Sequence, residues 1–82
     1  MSKTKIYLSN PKIGFFTVDR RGKILETGDT RKGDWERTYV DLDRSKMNQP
    51  VYVSFNKGYN EAVGKEPVFV DLNCKITKIE QV

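Results

Sequence analysis

The chain has 82 residues, of which 37% are hydrophobic and 32% are charged, and its formal net charge is +4. A chain of this length supports one small domain with a thin core, so we expect a single domain over residues 1–82. No apolar run approaches the roughly 20 residues of a membrane helix, and residues 1–6 lack the apolar segment of a signal peptide. These features predict a cytoplasmic protein that has no membrane partner.

Period-two alternation of apolar and polar residues is typical of strands, because successive side chains point to opposite faces of a sheet. The alternation predicts about six strands, in chain order residues 3–9, 13–19, 23–27, 34–42, 51–56 and 68–76. Between them we expect a hairpin turn at 20–23, a loop at 28–33 and one helical turn at 43–49 with Asp43 as its N-cap. Residues 57–67 form the longest connection, which we expect to be a polar, mobile loop.

The apolar parity of each strand defines a predicted core. Its members are Ile6, Leu8, Phe16, Val18, Val40, Leu42, Val51, Val53, Phe55, Val68, Val70 and Leu72. Ile13 and Phe15 fall on the opposite face of their strand. The parity shifts between Ile76 and Ile79, which predicts a bulge near residues 77–78. The fold class is therefore all-β: a single small barrel of about five to six antiparallel strands, OB-like or SH3-like, with at most one short helical turn.

Several kinds of chemistry are absent from the sequence. It contains no histidine, and Cys74 is its single cysteine, so catalytic Ser-His-Asp groups, internal disulfides and structural zinc sites are excluded. Residues 41–45 match the start of an EF-hand loop, but Lys46 replaces the required glycine and Tyr52 the required glutamate. We predict no enzyme, no catalytic residue, no metal and no cofactor, and a structural thiol at Cys74, either buried or on an edge strand.

Positive charge is concentrated in the first part of the chain. Residues 1–33 carry eight basic against three acidic side chains, whereas residues 34–82 carry seven against eight. Such an asymmetry favours a polyanionic partner, although a net charge of this size is also ordinary for solubility.

Aromatic residues occupy the parity opposite the core in almost every predicted strand: Tyr7, Phe15, Trp35, Tyr39, Tyr52 and Phe69. Basic residues accompany them: Lys3, Lys5, Lys23 and Arg37. The densest case is the strand 34–42, where Arg37 lies between Trp35 and Tyr39. Rings stack on bases and cations follow a phosphate backbone, so this face predicts binding of a single-stranded nucleic acid.

The predicted interface has two parts. The stacking and clamping set is Tyr7, Trp35, Arg37, Tyr39 and Tyr52. The phosphate-binding set is Arg20, Arg21, Lys23, Arg31 and Lys32. Two alternatives remain open at this point. The rings could be structural, with Trp35 capping an open end of the barrel. The same face could instead bind a protein, as in a small accessory subunit or a phage-type inhibitor of a host enzyme, because Trp, Tyr and Arg are also enriched at interface hot spots.

The acidic residues Asp34, Glu36, Asp41 and Asp43 favour the protein partner, since carboxylates beside Trp35 would repel phosphates. The charge asymmetry favours nucleic acid. The sequence does not distinguish DNA from RNA, nor does it set the oligomeric state.

Overall fold

A computed structural model describes residues 2–82, apart from the side chains of Lys32 and Asp34. Within this range the chain forms six strands: β1 (Thr4–Leu8), β2 (Phe15–Val18), β3 (Ile24–Thr27), β4 (Tyr39–Val40), β5 (Pro50–Ser54) and β6 (Val70–Gln81). It also forms the helix α1 (Lys57–Ala62) and two short 3₁₀ helices, Lys32–Trp35 and Leu42–Arg44. None of the helices among residues 2–82 has the length and apolar character needed to cross a membrane.

The strands form one antiparallel sheet in the order β3-β2-β1-β6-β5-β4. The sheet curls until its two edges meet, where Lys23 bridges Tyr39. Ile24 donates its backbone N–H to the carbonyl of Thr38 at 3.0 Å, and Val40 donates to that of Gly22 at 2.7 Å. The predicted small barrel-like fold of antiparallel strands is thus confirmed. Strands that are consecutive in the chain lie side by side, and β1 pairs with β6, whereas an OB barrel has a Greek-key order.

The long strand β6 lies in the centre of the sheet and pairs with both β1 and β5. Tyr7 pairs with Lys78 but Leu8 pairs with Ile76, so Thr77 is an extra residue in β6. The bulge that the sequence predicts at this point is confirmed. It lets both Ile76 and Ile79 face the interior, although they are three residues apart.

The core lies inside the curl of the sheet. Its buried members are Ile6, Leu8, Ile13, Phe16, Val18, Ile24, Trp35, Val40, Val51, Val53, Cys74 and Ile76. The inward parity predicted for β1, β2 and β5 is therefore confirmed along those strands. Ile13 is buried, although the sequence placed it on the opposite face. Burial raises the pKa of the Cys74 thiol, so this cysteine stays in its neutral form.

The predicted strand 34–42 is wrong. Its first residues belong to the 3₁₀ helix Lys32–Trp35, and Arg37 has a φ of 64°, which is incompatible with an extended strand. Only Tyr39–Val40 remains extended, and Leu42 is exposed at the start of the next 3₁₀ helix. The alternation in the sequence therefore comes from a helical turn followed by a short strand.

The helical segments also differ from the expectation. The 3₁₀ helix Leu42–Arg44 is capped by Asp41, whose side chain accepts the N–H of Asp43, so the predicted N-cap was two residues too late. The predicted loop 57–67 contains α1. Gly64, two residues after the helix, has a φ of 76°. The N–H groups of Gly64 and Lys65 donate to the carbonyls of Glu61 and Asn60, which is a Schellman motif.

Four residues that the sequence places in the core are exposed: Leu42, described above, and Phe55, Val68 and Val70. Phe55, Val68 and Val70 lie where β5 ends and β6 begins, and Phe55 is 54% exposed. Their parity is inward, but they extend beyond the part of the barrel that the other strands close. Ser54, expected on the outside, is fully buried, and its hydroxyl contacts the amide oxygen of Asn56 at 2.9 Å.

Candidate nucleic-acid interface

The rings of Trp35 and Tyr39 are buried, at 7% and 8% exposure, so their predicted position on an open binding face is wrong. Trp35 packs edge-on against Phe16 with 4.9 Å between ring centroids, and it stacks on Phe55 at 6.0 Å. This is close to the alternative in which Trp35 closes one end of the barrel. Phe55 then covers Trp35 from outside.

A polar network holds Trp35 in this position. Its indole Nε1 donates to Oδ2 of Asp29 at 3.0 Å. The Arg31 guanidinium donates to both carboxylate oxygens of Asp29, at 3.3 and 3.2 Å, and the Arg31 backbone N–H donates at 2.9 Å. These hydrogen bonds lower the pKa of Asp29 to about 2. The largest contribution comes from the Arg31 side chain, followed by the Arg31 backbone N–H and the Trp35 indole. The side chain of Arg31, which the sequence assigns to phosphate binding, is therefore part of this network.

Tyr39 lies beneath two cations. The Arg21 guanidinium is 5.8 Å from its ring centroid and the Lys57 ammonium is 5.0 Å from it. Lys57 also contacts the carbonyl oxygen of Arg21 at 3.4 Å, and Arg21 pairs with Glu61 at 3.8 Å. The structure thus brings Arg21 and Tyr39 together, but as a contact that docks α1 on the β2–β3 turn.

Tyr52 is half-buried, and a different cation lies against its ring. The Arg44 guanidinium lies 3.8 Å from its ring centroid and is held by Asp41, whose Oδ2 accepts from Arg44 Nε at 2.7 Å. One face of the Tyr52 ring is therefore already occupied by this guanidinium. Arg37 is exposed on its left-handed turn and does not lie between Trp35 and Tyr39.

The other predicted phosphate ligands lie on the turn between β2 and β3. Arg20, Arg21 and Lys23 are exposed there. Asp19 builds the turn, since its Oδ1 accepts the backbone N–H groups of Arg21 at 2.9 Å and Lys23 at 3.0 Å. The side chain of Lys32 lies outside the described residues. The nine predicted residues whose side chains are described therefore do not form one face.

A different group on the outer face of β1, β2 and β6 combines rings and cations. Tyr7 pairs with Phe15 on one side and Lys78 on the other. The two ring centroids are 6.4 Å apart. The Lys5 ammonium lies 5.0 Å from the Tyr7 centroid and 4.4 Å from that of Phe15, and Lys78 lies 5.4 Å from Tyr7. We call these four residues the outer-face cluster.

The outer-face cluster touches one carboxylate. Glu80 accepts a hydrogen bond from the Tyr7 hydroxyl at 3.4 Å and pairs with the Lys78 ammonium at 3.2 Å. Both rings of the cluster are half-buried, so part of each ring remains accessible. An aromatic surface flanked by two ammonium groups can stack on a flat ring and attract an anion beside it.

Sequence reasoning identified only part of this cluster. Tyr7 was among the predicted site residues, and Lys5 and Phe15 were correctly expected on the outer parity. Lys78 was missed because the bulge at Thr77 reverses the parity of β6. The parity shift from Ile76 to Ile79 was the signal that could have found it.

Among the described side chains, no group of three or more Cys, Asp or Glu residues is positioned to hold a metal ion. Comparisons with protein-family models, with curated proteins and with solved structures found no match to this chain.

Proposed function

We propose that this chain is a non-enzymatic module that binds single-stranded nucleic acid through the outer-face cluster. The observation that supports this function is the pairing of Tyr7 and Phe15 on adjacent strands, with Lys5 and Lys78 against their rings. Exposed ring surface on a sheet, with cations at its border, is the combination that single-strand binding requires.

Energetic considerations favour a partner with both bases and phosphates. Stacking of one base on an aromatic ring contributes roughly 1–3 kcal/mol and tolerates any base sequence. The two lysines are long and flexible, so each ammonium can move from a ring face to a phosphate oxygen when a base replaces it. Lys5 has no ion pair with any described carboxylate, which leaves its charge available to a phosphate.

The stacking part of the proposal can be tested with fluorescence anisotropy of a labelled oligo-dT, measured at about 50 mM and about 200 mM salt. Tyr7→Leu keeps an apolar side chain on the sheet but removes the ring. We expect it to weaken binding about 5- to 100-fold at both salt concentrations, which corresponds to the loss of one stacked base.

The phosphate part is tested by Lys5→Ala combined with Lys78→Ala. We expect weaker binding at low salt and a salt slope that is flatter by about 1.4, or about 0.7 for each lost contact to a single strand. Lys46→Ala and Lys65→Ala, which change exposed lysines outside the cluster, are the matched controls. Equal affinity of the wild type and both cluster variants, with circular dichroism showing native folds, would contradict the proposal.

A protein partner is a second candidate, and a different surface favours it. Phe55, Val68 and Val70 leave apolar area exposed where β5 ends and β6 begins. Such area is a common feature of interfaces between proteins. A partner bound there would remain bound at high salt and would be lost in Phe55→Ser, whereas nucleic-acid binding would fall steeply with salt and tolerate that substitution.

A further inference from the structure

The strand β3 contains a bulge next to the outer-face cluster, and Leu25 at this bulge separates two depressions of the surface. Thr17 pairs with Glu26 and Val18 pairs with Ile24, so Leu25 is left without a partner on β2. Leu25 is 44% exposed, and a depression lies on each side of it. The two depressions share Leu25 as their common wall, so one ligand can reach both.

The depression on one side is basic. Its volume is about 780 Å³, and its charged lining residues are Lys3, Arg20, Arg21 and Asp19. The carboxylate of Asp19 is engaged by two backbone N–H groups of its own turn, which reduces its effect on an incoming anion. No described carboxylate lies within ion-pair distance of Lys3 or Arg20, and Arg21 has an exposed pair with Glu61. This side therefore suits a phosphate.

The depression on the other side has a mixed lining, with apolar side chains and an acidic border. Its volume is about 370 Å³, its apolar lining includes Phe15, Leu25 and Trp35, and its carboxylates belong to Glu26 and Glu36. Neither glutamate forms an ion pair or side-chain hydrogen bond with a described residue. Phe15 is also a member of the outer-face cluster, so the two surfaces are continuous. This side suits a flat ring that carries N–H donors.

We propose that the two depressions form one nucleotide subsite that prefers cytosine or adenine, which carry an exocyclic amine where thymine and uracil carry O4, over thymine or uracil. The inference rests on the proposed function and specifies the base that the same surface takes. Lys3 and Arg20 hold the phosphate on one side of Leu25. On the other side the base packs against Phe15 and Leu25, next to the small part of Trp35 that lines this depression.

The carboxylates provide the preference. Cytosine N4 and adenine N6 are N–H donors, which Glu26 or Glu36 can accept. Thymine and uracil carry the acceptor O4 at the corresponding position. O4 and a carboxylate oxygen are both acceptors, so no hydrogen bond can form between them. A basic peptide side chain could also enter this groove. The neighbouring Lys3 and Arg20 would repel such a peptide, which is why we favour a nucleotide.

The test compares oligo-dC with oligo-dT of about eight nucleotides, a length within the usual range for one small binding domain. Binding is followed by anisotropy and by Trp35 fluorescence, because Trp35 is the only tryptophan and borders the groove. We expect the wild type to bind oligo-dC about 10-fold more tightly than oligo-dT.

Two variants separate the two halves of the subsite. Glu26→Gln combined with Glu36→Gln should abolish the preference, since glutamine can donate to thymine as well as accept from cytosine, and Glu66→Gln is the matched control. Lys3→Ala combined with Arg20→Ala should lower the affinity for both oligonucleotides by the same factor and reduce the salt slope of binding by about 1.4.

Each outcome is decisive. If the wild type binds neither oligonucleotide, the proposed function fails and this subsite fails with it. If it binds oligo-dC and oligo-dT equally, the proposed function stands and the base preference is wrong. If an arginine-rich peptide displaces oligo-dC and its binding requires Glu26 and Glu36, the groove is a peptide site and this inference is overturned. The wild-type comparison decides the preference even if a variant fails to fold.

Discussion

Trp35 donates its indole N–H to Asp29, six residues earlier, at 3.0 Å. The bond joins the 3₁₀ helix Lys32–Trp35 to the segment that follows β3. It places the largest ring of the chain against Phe16, at the side of the barrel where the short strand β4 leaves β3 largely uncovered. A side chain that sequence alternation assigns to a binding face is thereby held in the core.

Trp35→Phe tests this contact. The substitution keeps an aromatic ring but removes the N–H donor and part of the buried volume, so we expect the free energy of unfolding to fall by about 1–3 kcal/mol. Urea denaturation followed by circular dichroism measures the change. In the background of Asp29→Asn the same substitution should cost less, because the charged acceptor is already gone. Equal costs in both backgrounds would show that the charge of the acceptor adds nothing to this hydrogen bond.

The low pKa of Asp29 predicts a specific acid response. The folded-state pKa is about 2, and an aspartate in an unfolded chain titrates near about 3.9. A depressed pKa stabilises the fold fully above the unfolded-state value, and this stabilisation is lost as the pH falls through the folded-state value. We expect wild-type stability to decline between about pH 4 and about pH 2. Thermal unfolding across that range should show a shallower decline for Asp29→Asn, whereas Glu66→Gln should follow the wild type.

Thr38 and Thr27 are both buried but differ in their hydroxyl groups. Thr38 Oγ1 has no hydrogen-bond partner among the described residues, whereas Thr27 Oγ1 accepts the N–H of Asp29 at 3.1 Å. Thr38→Val should therefore stabilise the fold by about 1 kcal/mol, because it replaces an unsatisfied buried hydroxyl with a methyl group. Thr27→Val should destabilise it by about 1–2 kcal/mol. Chemical denaturation of the pair checks the prediction, and destabilisation by Thr38→Val would contradict it.

Gly22 closes the sheet against β4. It has a φ of 89°, and a Cβ atom at this position would overlap the carbonyl oxygen of Val40. We expect Gly22→Ala to lower the free energy of unfolding by at least ~2 kcal/mol, through backbone strain and loss of the edge contact. Gly58→Ala is the control, since Gly58 lies in α1 with open space around it. This substitution should raise the free energy of unfolding by about 0.5–1 kcal/mol. A tolerated Gly22→Ala would mean that the sheet does not close at this point.

Glu80 provides an electrostatic test of the outer-face cluster. Its carboxylate pairs with Lys78 and accepts from Tyr7. Glu80→Gln removes a negative charge from the proposed path of the phosphates and releases Lys78, so oligo-dT should bind about 2- to 5-fold more tightly at low salt. The gain should disappear at high salt. Unchanged or weaker binding at low salt would place the strand elsewhere on the protein.

Strand parity was predictable where one face of a strand is buried along its whole length, as in β1 and the first residues of β5. The prediction failed at Phe55 and Val70, because inward parity buries a residue only where other strands lie opposite, and that depends on how far the sheet closes. It failed at Trp35 because the position of this ring depends on Asp29, a contact that no alternation pattern records.

The helix α1 was not visible in the sequence for a related reason. The segment is too short to show a 3.6-residue period, and its second residue is a glycine. Its clearest local signal is at its end, where Gly64 permits the Schellman motif. Three of the four residues of the outer-face cluster were predictable, since Lys5, Tyr7 and Phe15 follow simple alternation, whereas Lys78 depends on the bulge at Thr77.

The pairing of β1 with β6 has a consequence for how the chain folds. Thr4 lies opposite Gln81, 77 residues away, and Val82 donates its N–H to the carbonyl of Lys3 at 3.0 Å. The strands β1 to β3 and β4 to β6 are two meanders of consecutive strands, and the β5–β6 connection of the second contains α1. The junction between them requires the largest loop closure in the molecule, so docking of the two halves is the entropically expensive event that controls the folding rate.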